Sequence, residues 1–191
     1  MDPFPELRTE RLRLCLPAPG QAAEVAEFFA RNEEHFAPWD PPRPDGFATA
    51  EFWRERLDRN RAEYQEGRSL RFFILLRESD RIAGTCSFDN FARGPFQACT
   101  LGYGVGRDIE GRGVMTEALR AAIPFMFDVL GFHRIMANYM LENVRSARVL
   151  EKLRFVREGY AKDYLFIRGK WRDHILTALT NPNPKPPTIR P

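Results

Sequence analysis

The sequence predicts a mixed α+β fold, with a central, twisted, mostly antiparallel sheet of about seven strands flanked by about four helices. Segments of alternating polar and apolar residues are interspersed with segments whose apolar residues recur at helical spacing. Three strand segments follow one another with only short turns between them, which is typical of an antiparallel meander. This order differs from the regular strand–helix alternation of a doubly wound parallel sheet.

Length and composition indicate one globular domain. The 191 residues are 43% hydrophobic and 29% charged, so we expect a single domain over residues 1–180. The last eleven residues, 181–191, hold five prolines and predict a disordered tail. The start lacks the basic and apolar regions of a signal peptide, and no apolar run is long enough for a membrane span. We therefore expect a cytoplasmic protein without a membrane partner.

Charge and cysteine content exclude some classes of protein. The net charge of +3 favours anionic partners only mildly and lacks the dense basic stripe of a dedicated nucleic-acid binder. Cys15, Cys86 and Cys99 cannot all pair with one another and have no C-x-x-C spacing. We expect these cysteines to be small buried apolar residues and expect no metal site.

The N-terminal elements are a strand and two helices. Residues 11–16 alternate polar and apolar side chains and predict a strand that the following Pro17 ends. Helical spacing of apolar residues predicts one helix over 21–36 and a second over 49–66, with Thr49 as its N-cap. Between them the prolines of APWDPPRPDG forbid a regular helix and predict a stiff, exposed loop that carries Trp39.

The remaining elements complete the order β-α-α-β-β-β-α-β-α-β-β. Strands are predicted over 70–77, 81–91 and 96–105, then a helix over 112–129, a strand over 134–140, a helix over 144–153, and two closing strands over 155–167 and 171–179. Pro124 lies within the helix over 112–129, and because proline removes a backbone hydrogen bond we expect a kink there.

The most informative stretch is YGVGRDIEGRGVMTEAL, where a strand enters a glycine-rich turn and then a helix. Its glycines allow positive φ and close backbone approach, and the first amides of the helix point at the turn. This arrangement binds phosphate, and Arg107 and Arg112 add positive charge for a pyrophosphate. A packing turn without a ligand is the alternative. The spacing matches neither a P-loop nor the Rossmann fingerprint.

These residues resemble the GNAT family of acetyl-CoA-dependent N-acetyltransferases. The turn is similar to the family's Q/R-x-x-G-x-G/A motif: Gly111 and Gly113 match it, and Asp108 stands where Gln or Arg is usual. The segment HRIMANYMLENVRSARVLEKLRF resembles the family's second motif, with Arg154 in place of the usual Gly before Phe155. HFAPWDP, LGYGVG, EGYAKDYL and WRDHILTALT are similar to the RimJ/RimL-type ribosomal-protein N-terminal acetyltransferases, in particular their RimJ-like branch.

The resemblance implies an acetyltransferase that uses acetyl-CoA as cosubstrate. Its acceptor is the N-terminal α-amine of a protein, namely the N-terminal alanine of a small-subunit ribosomal protein, with association with the ribosome as a further implied property. A small-molecule amine acetyltransferase, for example one that acts on aminoglycosides, is the alternative within the family. A ribosome- or RNA-associated factor is the second alternative. Its basic surface would be Arg54, Arg56, Arg59 and Arg61, although interleaved acidic residues favour a salt-bridged, solvated helix.

The resemblance also implies roles for single residues. The Val105 amide is the expected oxyanion donor at a bulge where two central strands splay, and Ser146 is the expected donor to the departing thiolate. Asn143 is expected to cap its helix and to contact the cosubstrate. The expected cosubstrate-binding residues are Val105, Gly106, Arg107, Gly111, Arg112, Gly113, Val114, Met115, Thr116, Asn143 and Ser146. Trp39, Tyr103, Tyr139 and Tyr164 are the expected acceptor-binding residues.

No general base follows from the resemblance. An α-amine with a pKa near 7.8 is about 14% neutral at pH 7, so such an acceptor needs little help in losing a proton. Glu110 or Asp163 could end a water chain that removes it, although the favoured interpretation of both is that they are simply solvated acids. Glu117 is interpreted as structural. The three histidines show no metal-ligand spacing.

Overall fold

Eight strands form one sheet in the computed structural model, which describes residues 4–184 and 186. Within these residues the sheet order is β1-β2-β3-β4-β5-β6-β8-β7, and neighbouring strands are antiparallel except for the parallel pair β5 and β6. The strands are β1 (Leu7–Arg8), β2 (Leu12–Cys15), β3 (Leu70–Leu76), β4 (Ile82–Ala92), β5 (Ala98–Val105), β6 (Arg134–Met140), β7 (Val156–Ile167) and β8 (Lys170–Thr180).

Five α-helices of the described residues flank the sheet: α1 (Ala22–Arg31), α2 (Glu33–Phe36), α3 (Ala50–Gln65), α4 (Val114–Pro124) and α5 (Val144–Lys152). The predicted mixed fold, the meander and the closing hairpin are confirmed. The predicted count differs by one strand, because the two-residue β1 is too short to show alternation. Thr49 caps α3 as expected, accepting a hydrogen bond from the Phe52 amide at 3.2 Å.

The first predicted helix is divided in two at Asn32. The Asn32 side chain is buried, and its amide nitrogen donates to the Phe28 carbonyl at 2.8 Å. Its amide oxygen accepts from the backbone amide of Arg107 at 2.9 Å, in the turn that follows β5. Asn32 therefore ties the end of α1 to that turn and redirects α2, which a continuous helical pattern did not predict.

Side-chain alternation along β3 separates two core layers. Leu70, Phe72 and Ile74 pack in the layer that α4 and α5 cover. Phe73 and Leu75 pack in the opposite layer, under α1 and α3. The second layer is aromatic: Phe29 stacks on Trp53 with ring centroids 4.7 Å apart. The predicted buried state of all three cysteines is confirmed.

Arg43 fastens the proline-rich loop to the aromatic layer. Its guanidinium lies 4.5 Å from the ring centroid of Phe47 and 5.3 Å from that of Phe29. It also contacts the carboxylate of Asp40 at 2.9 Å. The loop is mostly exposed, as predicted, but these contacts fix its position over α1.

Pro124 ends α4, and the chain continues as a π-turn over Phe125–Val129, in which the Leu130 amide donates to the Phe125 carbonyl at 3.1 Å. The expected disturbance at proline therefore takes the form of a wider helical turn. None of the helices between residues 4 and 184 combines the length and apolar character needed to cross a bilayer.

The sheet opens between β5 and β6, and this opening positions the site. The two strands pair only from Ala98↔Arg134 to Thr100↔Met136. Beyond this point β5 continues against β4 as far as Gly84↔Val105, whereas β6 continues against β8. The expected splay is thus present, but the pairing of β4 with β5 shows no register shift at Val105. β5 and β6 separate because β5 stays paired with β4 while β6 stays paired with β8.

The predicted tail begins at Asn181, whose backbone amide donates to the His133 carbonyl at 2.7 Å and which is buried. Residues 185 and 187–191 lie outside the described residues. The disordered tail therefore stays a prediction.

Candidate active site

A cleft of about 380 Å³ occupies the opening between β5 and β6. The end of β5, the first turns of α4 and α5, and α2 with the loop after it form its walls. Ten of the predicted site residues line this cleft together: Trp39, Tyr103, Val105, Gly111, Gly113, Val114, Met115, Thr116, Asn143 and Ser146.

One end of the cleft is built to bind an anion. Gly113 is the N-cap of α4 with φ +76, a left-handed conformation that favours glycine, and it has no side chain to bond the amides that follow. The first intrahelical bond runs from the Glu117 amide to the Gly113 carbonyl at 3.0 Å. The amides of residues 114–116 therefore have no intrahelical acceptor, which fits the diphosphate of acetyl-CoA.

Three of the predicted cosubstrate-binding residues do not line the cleft. Gly106 is buried, and its amide donates to the Ala83 carbonyl at 2.8 Å. Arg107 and Arg112 have exposed side chains. Asp108, at the position where the family motif has Gln or Arg, pairs with Arg81 outside the cleft.

The cations that line the cleft are Arg145, Arg148 and Lys152, all on α5. The sequence predictions did not include them. Their spacing of three and four residues places them on one face of the helix that Asn143 begins, and this spacing was the available signal. Arg145 contacts the Glu110 carboxylate at 3.1 Å.

The middle of the cleft has a free backbone amide. Hydrogen-bonding groups alternate in direction along a strand, and the Gly106 amide points at β4. The amide and carbonyl of Val105 consequently point the other way, into the opening. The Val105 carbonyl lies 3.2 Å from Nε2 of His35, which confirms this direction.

Ser146 and Tyr103 form a hydroxyl pair on the wall opposite α4. Their side-chain oxygens are 2.8 Å apart, and the Tyr103 hydroxyl also donates to the Ser146 carbonyl at 3.2 Å. Burial raises the pKa of Tyr103, more than the hydrogen bond from Ser146 lowers it. Asn143 caps α5, as expected, by accepting from the Ser146 amide at 3.0 Å. The Tyr103 hydroxyl is therefore protonated.

The other end of the cleft is acidic and aromatic. Trp39 and Phe36 line it, together with the carboxylates of Asp40 and Glu110 and the ring of His35. Burial raises the pKa of Asp40, although the neighbouring Arg43 and His35 oppose this shift. His35 was not among the predicted site residues, because a single histidine in a helix carries no sequence signal.

The other residues considered for the acceptor lie elsewhere. Tyr139 packs on the core, and the hydroxyl of Tyr164 accepts from the Asn138 amide at 2.9 Å on the closing strands. Asp163 is exposed on β7, so of the two acids considered as a base only Glu110 lines the cleft. In the described part of the chain, no group of three or more His, Cys, Asp or Glu side chains is arranged to hold a metal ion.

Glu117 is structural, as interpreted from the sequence. Its carboxylate accepts from the Thr9 hydroxyl at 2.6 Å and from Arg11 Nε at 2.7 Å. Partial burial raises the pKa of Glu117, but these hydrogen bonds and the charge of Arg11 lower it by more, so the net shift is downward. The Arg11 guanidinium also donates to the Arg112 carbonyl at 3.3 Å. Glu117 thus holds the turn before α4 through Arg11.

Comparison with known proteins identifies relatives of this chain. Residues 11–156 match the model of the acetyltransferase (GNAT) domain. The chain is 42% identical over 181 residues to the [ribosomal protein uS5]-alanine N-acetyltransferase of Escherichia coli K12, covering 95% of this chain and 93% of that protein.

Two solved structures extend the comparison. The ribosomal-protein-S5-alanine acetyltransferase of Vibrio fischeri has a TM-score of 0.92 and 38% identity over 95% of this chain and all of that one. Mycobacterium smegmatis RimJ, solved in complex with CoA-disulfide, has a TM-score of 0.85 and 30% identity over 94% of this chain and 87% of that one. The domain match and this full-length similarity show that the chain belongs to the GNAT family of acetyltransferases.

Proposed function

We propose that the protein transfers the acetyl group of acetyl-CoA to the N-terminal α-amine of a protein, the N-terminal alanine of a small-subunit ribosomal protein. The observation that carries this proposal is the 42% identity, over nearly the whole of both chains, to a relative named for that reaction. A cytosolic location is part of the proposal, because ribosomal proteins are made and assembled there. Association with the ribosome stays a separate prediction.

The two ends of the cleft support the proposed substrates. Unpaired amides at the start of α4 suit a diphosphate, while Asp40 and Glu110 at the other end suit a cationic amine. Phe36 packs directly on the strand there: a Cβ added to Gly104 would lie 3.1 Å from the Phe36 ring. This close packing of Phe36 on Gly104 supports a first residue with a small side chain, such as alanine.

Four groups of this chain have roles in the reaction that we propose. The Val105 amide donates to the oxyanion that forms when the amine attacks the thioester carbonyl. The Ser146 hydroxyl donates to the sulfur that leaves, and Tyr103, paired with it at 2.8 Å, orients that hydroxyl. Asn143 holds Ser146 in place by capping α5.

The test is acetyl transfer by the purified protein with labelled acetyl-CoA. We expect label on a peptide that begins with alanine, and none on the same peptide with a blocked N-terminus but a free lysine side chain. A lysine amine with a pKa near 10.4 is only about 0.04% neutral at pH 7, which disfavours its attack. Transfer only to polyamines or aminoglycosides in a parallel panel would contradict the proposal.

The RNA-binding alternative gains no support from α3. The Arg56 guanidinium contacts the Glu63 carboxylate at 4.0 Å, and Arg61 lies over the Phe4 ring and donates to the Leu16 carbonyl at 3.1 Å. Arg61 thus holds α3 against neighbouring segments, whereas the Arg56 contact lies within α3. Their contacts agree with the expected salt-bridged surface helix.

A further inference from the structure

We propose that His35 is the proton acceptor for the attacking amine, an inference that rests on the function proposed above. His35 lies on α2, and its side chain is only 13% exposed. Its ring lines the cleft at the acceptor end, beside Val105. The break at Asn32 that redirects α2 is what places the ring there.

The hydrogen bond to Val105 determines which ring nitrogen is basic. His35 Nε2 lies 3.2 Å from the Val105 carbonyl oxygen, and a carbonyl only accepts hydrogen bonds. The neutral ring therefore carries its hydrogen on Nε2, and the lone pair is on Nδ1. Because the Val105 amide faces the same opening as its carbonyl, the ring stands beside the group that we assign to the oxyanion.

Charged side chains surround the ring at this end of the cleft. The nearest Glu110 carboxylate oxygen is 3.9 Å from Nε2, and that oxygen also accepts from Arg145 at 3.1 Å. The Asp40 carboxylate faces the same end of the cleft from the loop after α2. Glu33 and Glu34, on the same helix, have exposed side chains. Two carboxylates therefore lie at this end of the cleft, and each is held by an arginine: Glu110 by Arg145 at 3.1 Å and Asp40 by Arg43 at 2.9 Å.

The proposed step balances as a proton transfer within thioester aminolysis. The amine lone pair forms the C–N bond, the carbonyl becomes an oxyanion held by the Val105 amide, and the nitrogen becomes positively charged. Nδ1 of His35 takes a proton from that nitrogen. The oxyanion then re-forms the carbonyl and the C–S bond breaks, with the Ser146 hydroxyl protonating the sulfur. Solvent takes the proton from His35 and restores the one on Ser146.

The test is chemical rescue of His35→Ala, measured in single turnovers with the alanine peptide and saturating acetyl-CoA. We expect the rate to fall about 100-fold or more, in the range of a lost general base. Added imidazole should restore at least a tenth of the wild-type rate, while 1,2,4-triazole, which has a similar shape but is a weaker base, should not. The affinity for acetyl-CoA, measured by titration calorimetry, should stay unchanged.

Two further variants make the outcome decisive. His35→Gln fills the space, so it should lose the same activity and show no rescue, and it serves as the primary test if His35→Ala does not fold. His133→Gln, an exposed histidine outside the cleft, should behave like the wild type. Wild-type rates in His35→Gln, or equal rescue by both azoles, would overturn the role of His35. If the wild-type protein does not acetylate the peptide, the proposed function is overturned instead. The same rescue experiment would then be carried out with whichever amine is acetylated.

Discussion

Single residues in left-handed backbone conformations set several turns of this protein. Arg154, which ends α5, has a φ of +64 and an exposed side chain. The turn is fixed on both sides, because the Arg154 amide donates to the Glu151 carbonyl and the Phe155 amide to the Leu150 carbonyl, each at 3.0 Å. The backbone needs a positive φ here whichever residue occupies the position, and the family motif usually has glycine.

Arg154→Gly should therefore stabilise the protein. Relief of the left-handed backbone outweighs the entropy that glycine adds to the unfolded chain, for a net gain of about 0.5–1 kcal/mol in the free energy of unfolding. The matched control is Arg148→Gly within α5, which should cost about 1 kcal/mol because its backbone is helical. Urea denaturation measures both changes, and destabilisation by Arg154→Gly would contradict the expectation.

At the scale of elements, the N-termini of α4 and α5 both line the cleft, and they are capped in different ways. Asn143 caps α5 with its side chain and so occupies one of its amides. Gly113 leaves the amides of α4 free for a ligand. One N-terminus is closed by its own side-chain cap, and the other leaves its amides without a side-chain partner.

Gly113→Glu should abolish acetyl-CoA binding. A carboxylate at this N-cap repels the diphosphate and competes for the amides, so we expect the dissociation constant to rise at least about 100-fold. Gly67→Glu is the matched control: Gly67 also has a positive φ, +67, nothing lies within 4 Å of its added Cβ, and it does not line the cleft. Both variants should lose similar stability, whereas only Gly113→Glu should lose binding in calorimetry. Equal affinities would show that the diphosphate lies elsewhere.

Across the whole molecule, a few ionic contacts join segments that are distant in sequence. Glu117 on α4 binds Thr9 and Arg11 near the N-terminus, more than a hundred positions away along the chain. The pKa of Glu117 is lowered in the folded protein. A lowered carboxylate pKa stabilises the fold above the unfolded pKa of about 4.3, and this contribution is lost as the pH falls through the folded value.

Glu117→Gln should lower stability at pH 7 by about 1 kcal/mol, because a partly exposed charged hydrogen-bond network is removed. The difference from the wild type should shrink as the pH falls below the unfolded pKa of about 4.3 and through the lowered pKa of Glu117, because the wild-type carboxylate then also becomes protonated. Glu55→Gln, on the exposed face of α3, provides the control and should change little at either pH. A difference that is independent of pH in urea denaturation would rule out the ionic explanation.

The sequence alone determined the fold class, most element positions and the anion-binding turn. Alternation, helical spacing and the Gly111–Gly113 turn are local patterns, and local patterns can be recognised in a single amino-acid sequence. The family motifs also located Ser146, Asn143 and Val105, all of which line the cleft.

Only the tertiary structure determined which side chains surround those residues. His35 reaches Val105 because Asn32 interrupts a helix, and Tyr103 meets Ser146 across 43 positions of sequence. The cations that line the cleft come from α5 and not from the turn, where Arg107 and Arg112 are exposed outside the lining. These contacts depend on how the elements pack together. The periodicity of a single segment does not predict these contacts, because the partners lie on different segments. They meet only at the opening between β5 and β6.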